Sequence, residues 1–167
     1  KEPIGNSLED RPIHYVRISN DPNTDQDKPE VLYDAVHHAR EPGGMSQLIF
    51  YMWYLLENYS TDAEVAAIVD NTELFFVPCI NPDGYMYNEM TDPAGGGMWR
   101  KNRRDNLDGS FGVDLNRNYS YNWGYDDNGS SPDGNGETYR GTSGFSEPET
   151  QLISDFTNSR SFSIALN

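Results

Sequence analysis

His38-Ala39-Arg40-Glu41 is the stretch of this chain whose residue types and spacing most directly suggest chemistry. A neutral imidazole and a carboxylate three positions apart, at a strand-to-helix junction, can both turn toward one metal ion. Zinc accepts nitrogen and oxygen ligands in a four-coordinate shell, and a hydrolytic site uses three protein ligands plus a water. By itself a His-x-x-Glu pair is a weak signal, because it also describes a surface histidine beside a helix-start glutamate. Downstream, Trp99-Arg100-Lys101-Asn102 and Gly112-Val113-Asp114-Leu115-Asn116-Arg117-Asn118 place arginines in an otherwise acidic chain. An arginine fork beside a metal could hold a substrate carboxylate or stabilise an oxyanion, although a single arginine is ordinarily a surface ion pair. The remaining histidines, His14 and His37, suit the site poorly. His14 lies on an earlier strand, and His37 should point away from its neighbour His38.

Several elements must position these residues. Residues 13 to 18 alternate as a half-buried strand does, and the polar segment Ser19 to Pro29 reads as a loop. Glu30 to Val36 forms a second strand, antiparallel to the first. Met45, Leu48, Ile49, Met52, Leu55, Leu56 and Tyr59 have the spacing of a helix burying one face, so His38 and Glu41 fall where that helix begins. A shorter helix over Asp62 to Val69 and a buried strand over Glu73 to Val77 follow. From Asn81 to Tyr139 periodicity disappears and loops carry most of the chain. So long a run in a compact domain is functional or disordered, and Trp99, Phe111, Tyr119, Trp123 and Tyr125 argue for order. Ser146-Glu147-Pro148-Glu149 has the pattern of a capping box with proline in the first turn. Its helix runs to about Ser159, with Leu152, Ile153 and Phe156 on one face, and a last strand spans Phe162 to Leu166. This order is α/β: a mixed, twisted sheet flanked by helices, incomplete in this chain.

The 167 residues suffice for one compact domain. With 27 acidic and 12 basic residues the net charge is -15, which repels nucleic acid and anionic membranes as partners. No apolar run reaches membrane-spanning length. The single cysteine, Cys79, excludes an intrachain disulfide and a cysteine zinc cluster, and within Leu74 to Ile80 it reads as a small buried side chain.

Three further segments join those above: Asn81-Pro82-Asp83-Gly84-Tyr85, Glu137-Thr138-Tyr139-Arg140-Gly141 and Phe145-Ser146-Glu147-Pro148-Glu149-Thr150. In order and spacing the set resembles the zinc carboxypeptidase family, in particular its secreted bacterial and pancreatic-type branch, over nearly the whole chain. The resemblance implies His38 and Glu41 as zinc ligands and Arg100 as the group that polarises the scissile carbonyl. It implies that Asn116 and Arg117 grip the free C-terminal carboxylate of a peptide, and that Arg40 lines the approach for residues further up that peptide. The implied activity is zinc-dependent removal of C-terminal residues from peptides and proteins, by a secreted or periplasmic enzyme.

The family pattern also calls for a third zinc ligand, a histidine about two residues beyond Asn167, with a general-base glutamate, a substrate-capping tyrosine and the specificity residues further on. Residues 1–167 are therefore expected to be the N-terminal portion of a catalytic domain, inactive alone, with exposed apolar surface that favours self-association. The start looks trimmed as well, since family domains carry a helix before the strand near Ile13. Asp126-Asp127-Asn128-Gly129 and Asp133-Gly134-Asn135-Gly136-Glu137 offer hard oxygens that suit calcium, without EF-hand spacing. Two other functions share parts of the pattern: a zinc amidohydrolase acting on acyl-amino acids or cell-wall peptides, and a non-catalytic module that binds peptide carboxylates.

Overall fold

The computed structural model describes residues 1–167. Five strands, β1 (Glu2–Asn6), β2 (Pro12–Ile18), β3 (Glu30–Asp34), β4 (Glu73–Val77) and β5 (Phe162–Leu166), form one mixed sheet in the order β1-β2-β4-β3-β5. β2 pairs antiparallel with β1 and β4, whereas β3 pairs parallel with β4 and β5. β3 thus runs antiparallel to β2 but is not bonded to it, because β4 lies between them. β4 is buried along its whole length, as a central strand covered on both faces must be.

Helices α1 (Pro42–Asn58) and α2 (Ala63–Asn71) cover one face of the sheet, with Leu55, Val65 and Val69 packed on Ile18, Leu74 and Phe76. Two later helices follow, α3 (Pro82–Thr91) and α4 (Pro148–Asn158). On the opposite face Ile153 and Phe156 of α4 pack on Ile13, Leu32, Phe75 and Val77. Asp62 caps α2 by accepting from the backbone N–H groups of Glu64 and Val65.

Several elements differ from the sequence expectation. β1 precedes the strand taken as the first element, bonded to β2 through a shifted register. β3 ends at Asp34 rather than Val36, because Val36 takes a positive φ of 59°, a rare conformation for a β-branched residue. α3 lies inside the stretch read as loops. Its start is coded by Asn81, whose side chain accepts from Gly84 N–H at 2.9 Å, and by proline in the first turn. The capping-box pattern is not used: Glu147 occupies the N-cap, and Glu149 accepts from Leu8 and Asn102 instead of its own helix start.

α1 buries only part of its apolar surface. Leu55 is fully covered, while Ile49, Phe50, Trp53 and Leu56 are half or more exposed. β5 likewise leaves Ile164 and Leu166 open to solvent. No helix is long and apolar enough to cross a membrane.

Candidate functional site

The parallel strands β3 and β4 deliver their carboxyl ends to one side of the sheet, the edge where open α/β sheets place ligands. Beyond β3 the chain is locked to the turn after β4: Ala35 N–H donates to Val77 O, Ile80 N–H to Ala35 O and Asn81 N–H to Val36 O. The Asn81 amide also donates to His37 O at 3.0 Å. Ala39 N–H donates to Arg100 O, which brings the Trp99-Arg100 segment alongside. The approach is so close that a Cβ on Gly84 would sit 2.5 Å from Lys101 O and 2.8 Å from Ala39 Cβ. Glycine there is a packing requirement.

Within this frame His38 Nδ1 lies 2.9 Å from Glu41 Oε2. The other ring nitrogen, Nε2, lies 3.1 Å from Asp114 Oδ1, and Asp114 Oδ2 accepts from Arg100 Nε at 3.2 Å and Nη2 at 2.9 Å. Arg100 Nη1 is 3.8 Å from Glu41 Oε1, so the four side chains close into one ring. Asp114 is fully buried. Burial alone would raise its carboxyl pKa, but hydrogen bonds from His38 and Arg100, with their charge, hold it below the usual range.

This geometry fits a metal at His38 and Glu41. Their ligand atoms face each other, and the histidine gives its second nitrogen to a carboxylate, the arrangement that orients metal-bound imidazoles. Asp114 is the residue whose role sequence reasoning missed, although it stands inside the quoted Asp-Leu-Asn-Arg-Asn segment.

A cavity of about 480 Å³ opens over the pair. His38, Glu41, Asp34, Asn116, Leu166 and Asn167 border it. Asn116 also borders a second cavity of about 470 Å³ containing Arg117, Tyr121, Trp123 and Tyr125. Arg117 is held by carbonyls alone: Nε donates to Gly129 O at 2.6 Å and Nη1 to Asn116 O at 2.9 Å. The other arginines pair with carboxylates, except Arg103, which lies over the rings of Tyr87 and Trp99. Arg117 therefore has no carboxylate within ion-pair distance, although Asp126 borders the same cavity. Arg40 instead pairs with Glu137 at 2.9 Å and donates to Met98 O.

The two adjacent histidines diverge in their partners, although both border the first cavity. His37 is buried, with Nε2 2.7 Å from the Tyr119 hydroxyl and Nδ1 2.9 Å from Asn167 Nδ2. Burial, reinforced by His38, lowers its pKa to about 4. Asp34 Oδ1 stands 3.6 Å from His37 Nδ1 without a hydrogen-bond partner, and burial pushes that carboxyl up to about 7. His14 is on β2, two strands from β3.

Three acidic side chains converge elsewhere, Asp25, Glu30 and Glu73. Arg17 bonds Glu73, and Arg160 bonds Glu30 and Asp25, so arginines supply the countercharge there. On the acidic loop, Asp126 and Asp133 accept from the backbone of Asn128 and Asn135, and Asp127 pairs with Arg140. Cys79 is half-buried, and burial pushes its thiol up to about 12, the inert state expected of it.

A family model described as zinc carboxypeptidase matches residues 1–167. Carboxypeptidase O of Bos taurus is 33% identical over 163 residues, which cover 97% of this chain and 41% of that protein. A protein named inactive metallocarboxypeptidase ECM14, from Ajellomyces capsulatus, is 32% identical over 156 residues, 92% of this chain and 24% of its own length. The crystal structure of thrombin activatable fibrinolysis inhibitor superposes with a TM-score of 0.82 at 29% identity, covering 95% of this chain and 38% of that one. The chain thus spans about two fifths, or less, of the length of these three relatives.

Proposed function

The chain belongs to the zinc carboxypeptidase family, and on that premise we propose that it carries the first two zinc ligands and the substrate-carboxylate clamp of a metallocarboxypeptidase acting on peptide C-termini. His38 and Glu41 hold the metal, and Asp114 keeps the His38 ring turned toward it. Zinc, when bound, supplies Lewis acidity and an acidified water. Arg100, fixed by two hydrogen bonds to Asp114, directs its remaining donors at negative charge growing on the scissile carbonyl oxygen. Asn116 and Arg117 take the free carboxylate of the last residue, which turns binding energy into orientation of the bond to be cut. Arg40 contacts residues further up the peptide. We assign the third ligand, a histidine, and the general base to sequence following Asn167 in a longer protein.

The observation that carries the proposal is Arg117: a guanidinium with no carboxylate partner, oriented by carbonyls, one residue from a side chain bordering the metal pair's cavity. A surface arginine in a chain of net charge -15 would be expected to find an acidic neighbour. The test is calorimetric binding of an N-acetylated dipeptide with a free carboxylate against its C-terminal amide, in the zinc-loaded chain. The acid should bind tighter, and Arg117→Gln should abolish the difference. Equal binding of acid and amide by the unmodified chain would refute the exopeptidase assignment and favour the amidohydrolase reading.

The similarity to a relative named inactive supports a second reading, a carboxylate-binding module without catalysis. Peptide release by the longer protein distinguishes the two, since both predict the same acid preference.

A further inference from the structure

Asn116 and Arg117 sit on a single 3-10 turn, Leu115–Arg117, too short to fix its own position. What fixes it comes from outside. At the upstream end Asp114 bonds His38 Nε2 at 3.1 Å and accepts from Asn116 N–H at 3.0 Å. At the downstream end Tyr119 places its hydroxyl 2.7 Å from His37 Nε2, with the two rings edge to face at 5.7 Å. Two consecutive histidines therefore hold the two ends of the segment that carries the clamp. Asn118 adds a hold on a different part of the chain, donating to Arg140 O and Ser143 O.

The Asn167 amide, with its nitrogen placed toward His37, donates to Nδ1. A neutral imidazole accepting at Nδ1 carries its proton on Nε2, and that N–H donates to the Tyr119 oxygen.

We propose that His37 and Tyr119 are positioning residues. Their buried hydrogen bond sets the distance between the turn bearing His38 and Glu41 and the turn bearing Asn116 and Arg117, and so the length of substrate that spans metal and clamp. This rests on the carboxylate-clamp reading of Arg117. The side-chain partners of His37 are Tyr119 and Asn167, neither of them a residue of the metal pair or the clamp, and Tyr119 borders the cavity of Asn116 and Arg117. Loss of the bond should loosen the clamp without weakening the metal pair.

Tyr119→Phe deletes the hydroxyl and keeps the ring. In the zinc-loaded chain, binding of the free-carboxylate dipeptide should weaken about three- to tenfold, the range of one buried hydrogen bond. Binding of its amide, and zinc affinity by chelator competition, should not change. His37→Gln, which retains a donor toward Tyr119, should keep native acid binding, while His37→Leu should weaken it by the same roughly three- to tenfold with amide binding unchanged; this pair decides the matter if Tyr119→Phe does not fold. Unchanged acid binding in Tyr119→Phe, with Arg117→Gln still abolishing the preference, overturns the positioning role and leaves the clamp intact. Equal loss of zinc affinity and acid binding also overturns it, as general disruption. If the unmodified chain shows no preference for acid over amide, the clamp reading fails and the positioning role fails with it.

Discussion

Asp114→Asn exposes the logic of the site, because asparagine has the right shape and the wrong donor pattern. The native carboxylate accepts from His38 Nε2 and Asn116 N–H with one oxygen and twice from Arg100 with the other. An amide oxygen can serve one of these sides, but the amide nitrogen must then face donors on the other, whichever way it is flipped. If the oxygen stays toward His38, Arg100, with a side chain 13% exposed, loses its countercharge. Breaking a buried pair from one side costs about 3–5 kcal/mol. Glu41, 3.8 Å from Arg100 and exposed, offsets a little of this and favours the lower end. For a chain of this size about 3 kcal/mol lowers the melting temperature by roughly 6–12 °C. Zinc affinity should fall about 10- to 100-fold, the usual effect of removing a carboxylate behind a metal-binding histidine. The pH dependence has a definite sign. A carboxyl held below its ordinary value stabilises the fold fully above that value, near 3.9, and loses the contribution as pH falls through the lower folded value. The difference between native and variant should therefore be constant from pH 5 to 8 and shrink in strong acid. The assay is differential scanning fluorimetry across pH, with chelator competition at pH 7.5. A melt within 2 °C of native together with unchanged zinc affinity would refute the assignment of Asp114 as the group organising His38 and Arg100.

Asp34→Asn should do the reverse. Its carboxyl is raised to about 7, so the native chain loses stability as pH rises from about 4 to 7, and the variant should be the more stable at pH 8, by at most about 4 kcal/mol. His37, lowered to about 4, works in the opposite sense over part of that window, so the native-minus-variant difference is the readout. A difference that does not change between pH 4 and 8 would contradict the burial assigned to Asp34. The open outer face of α1 predicts concentration-dependent association, measured by sedimentation, that Phe50→Lys with Trp53→Glu abolishes; a monomer at 100 μM would count against it.

Much of this protein was legible from residue types alone. The alternation of residues 13 to 18, the apolar run of β4 and the periodic residues of α1 are local signals, and each element formed where its own sequence specified. The sequence also named His38 and Glu41 as a pair, because a strand end followed by a helix start restricts where they can point, and the structure sets His38 Nδ1 2.9 Å from Glu41 Oε2. Local pattern fails where the decisive partner is distant in sequence. α3 has little apolar periodicity and begins because Asn81 and Pro82 cap it while Gly84 lets it approach Ala39 and Lys101. Glu149 leaves its helix start because Leu8 and Asn102 come within reach only after folding. Asp114 lies 76 positions from His38, and Tyr119 lies 82 from His37. Sequence determined which side chains carry the imidazole, carboxylate and guanidinium groups from which such a site could be built. Only the tertiary structure decided which of them meet, since hydrogen bonds and ion pairs depend on angstrom-scale separations that loop-rich segments do not encode locally.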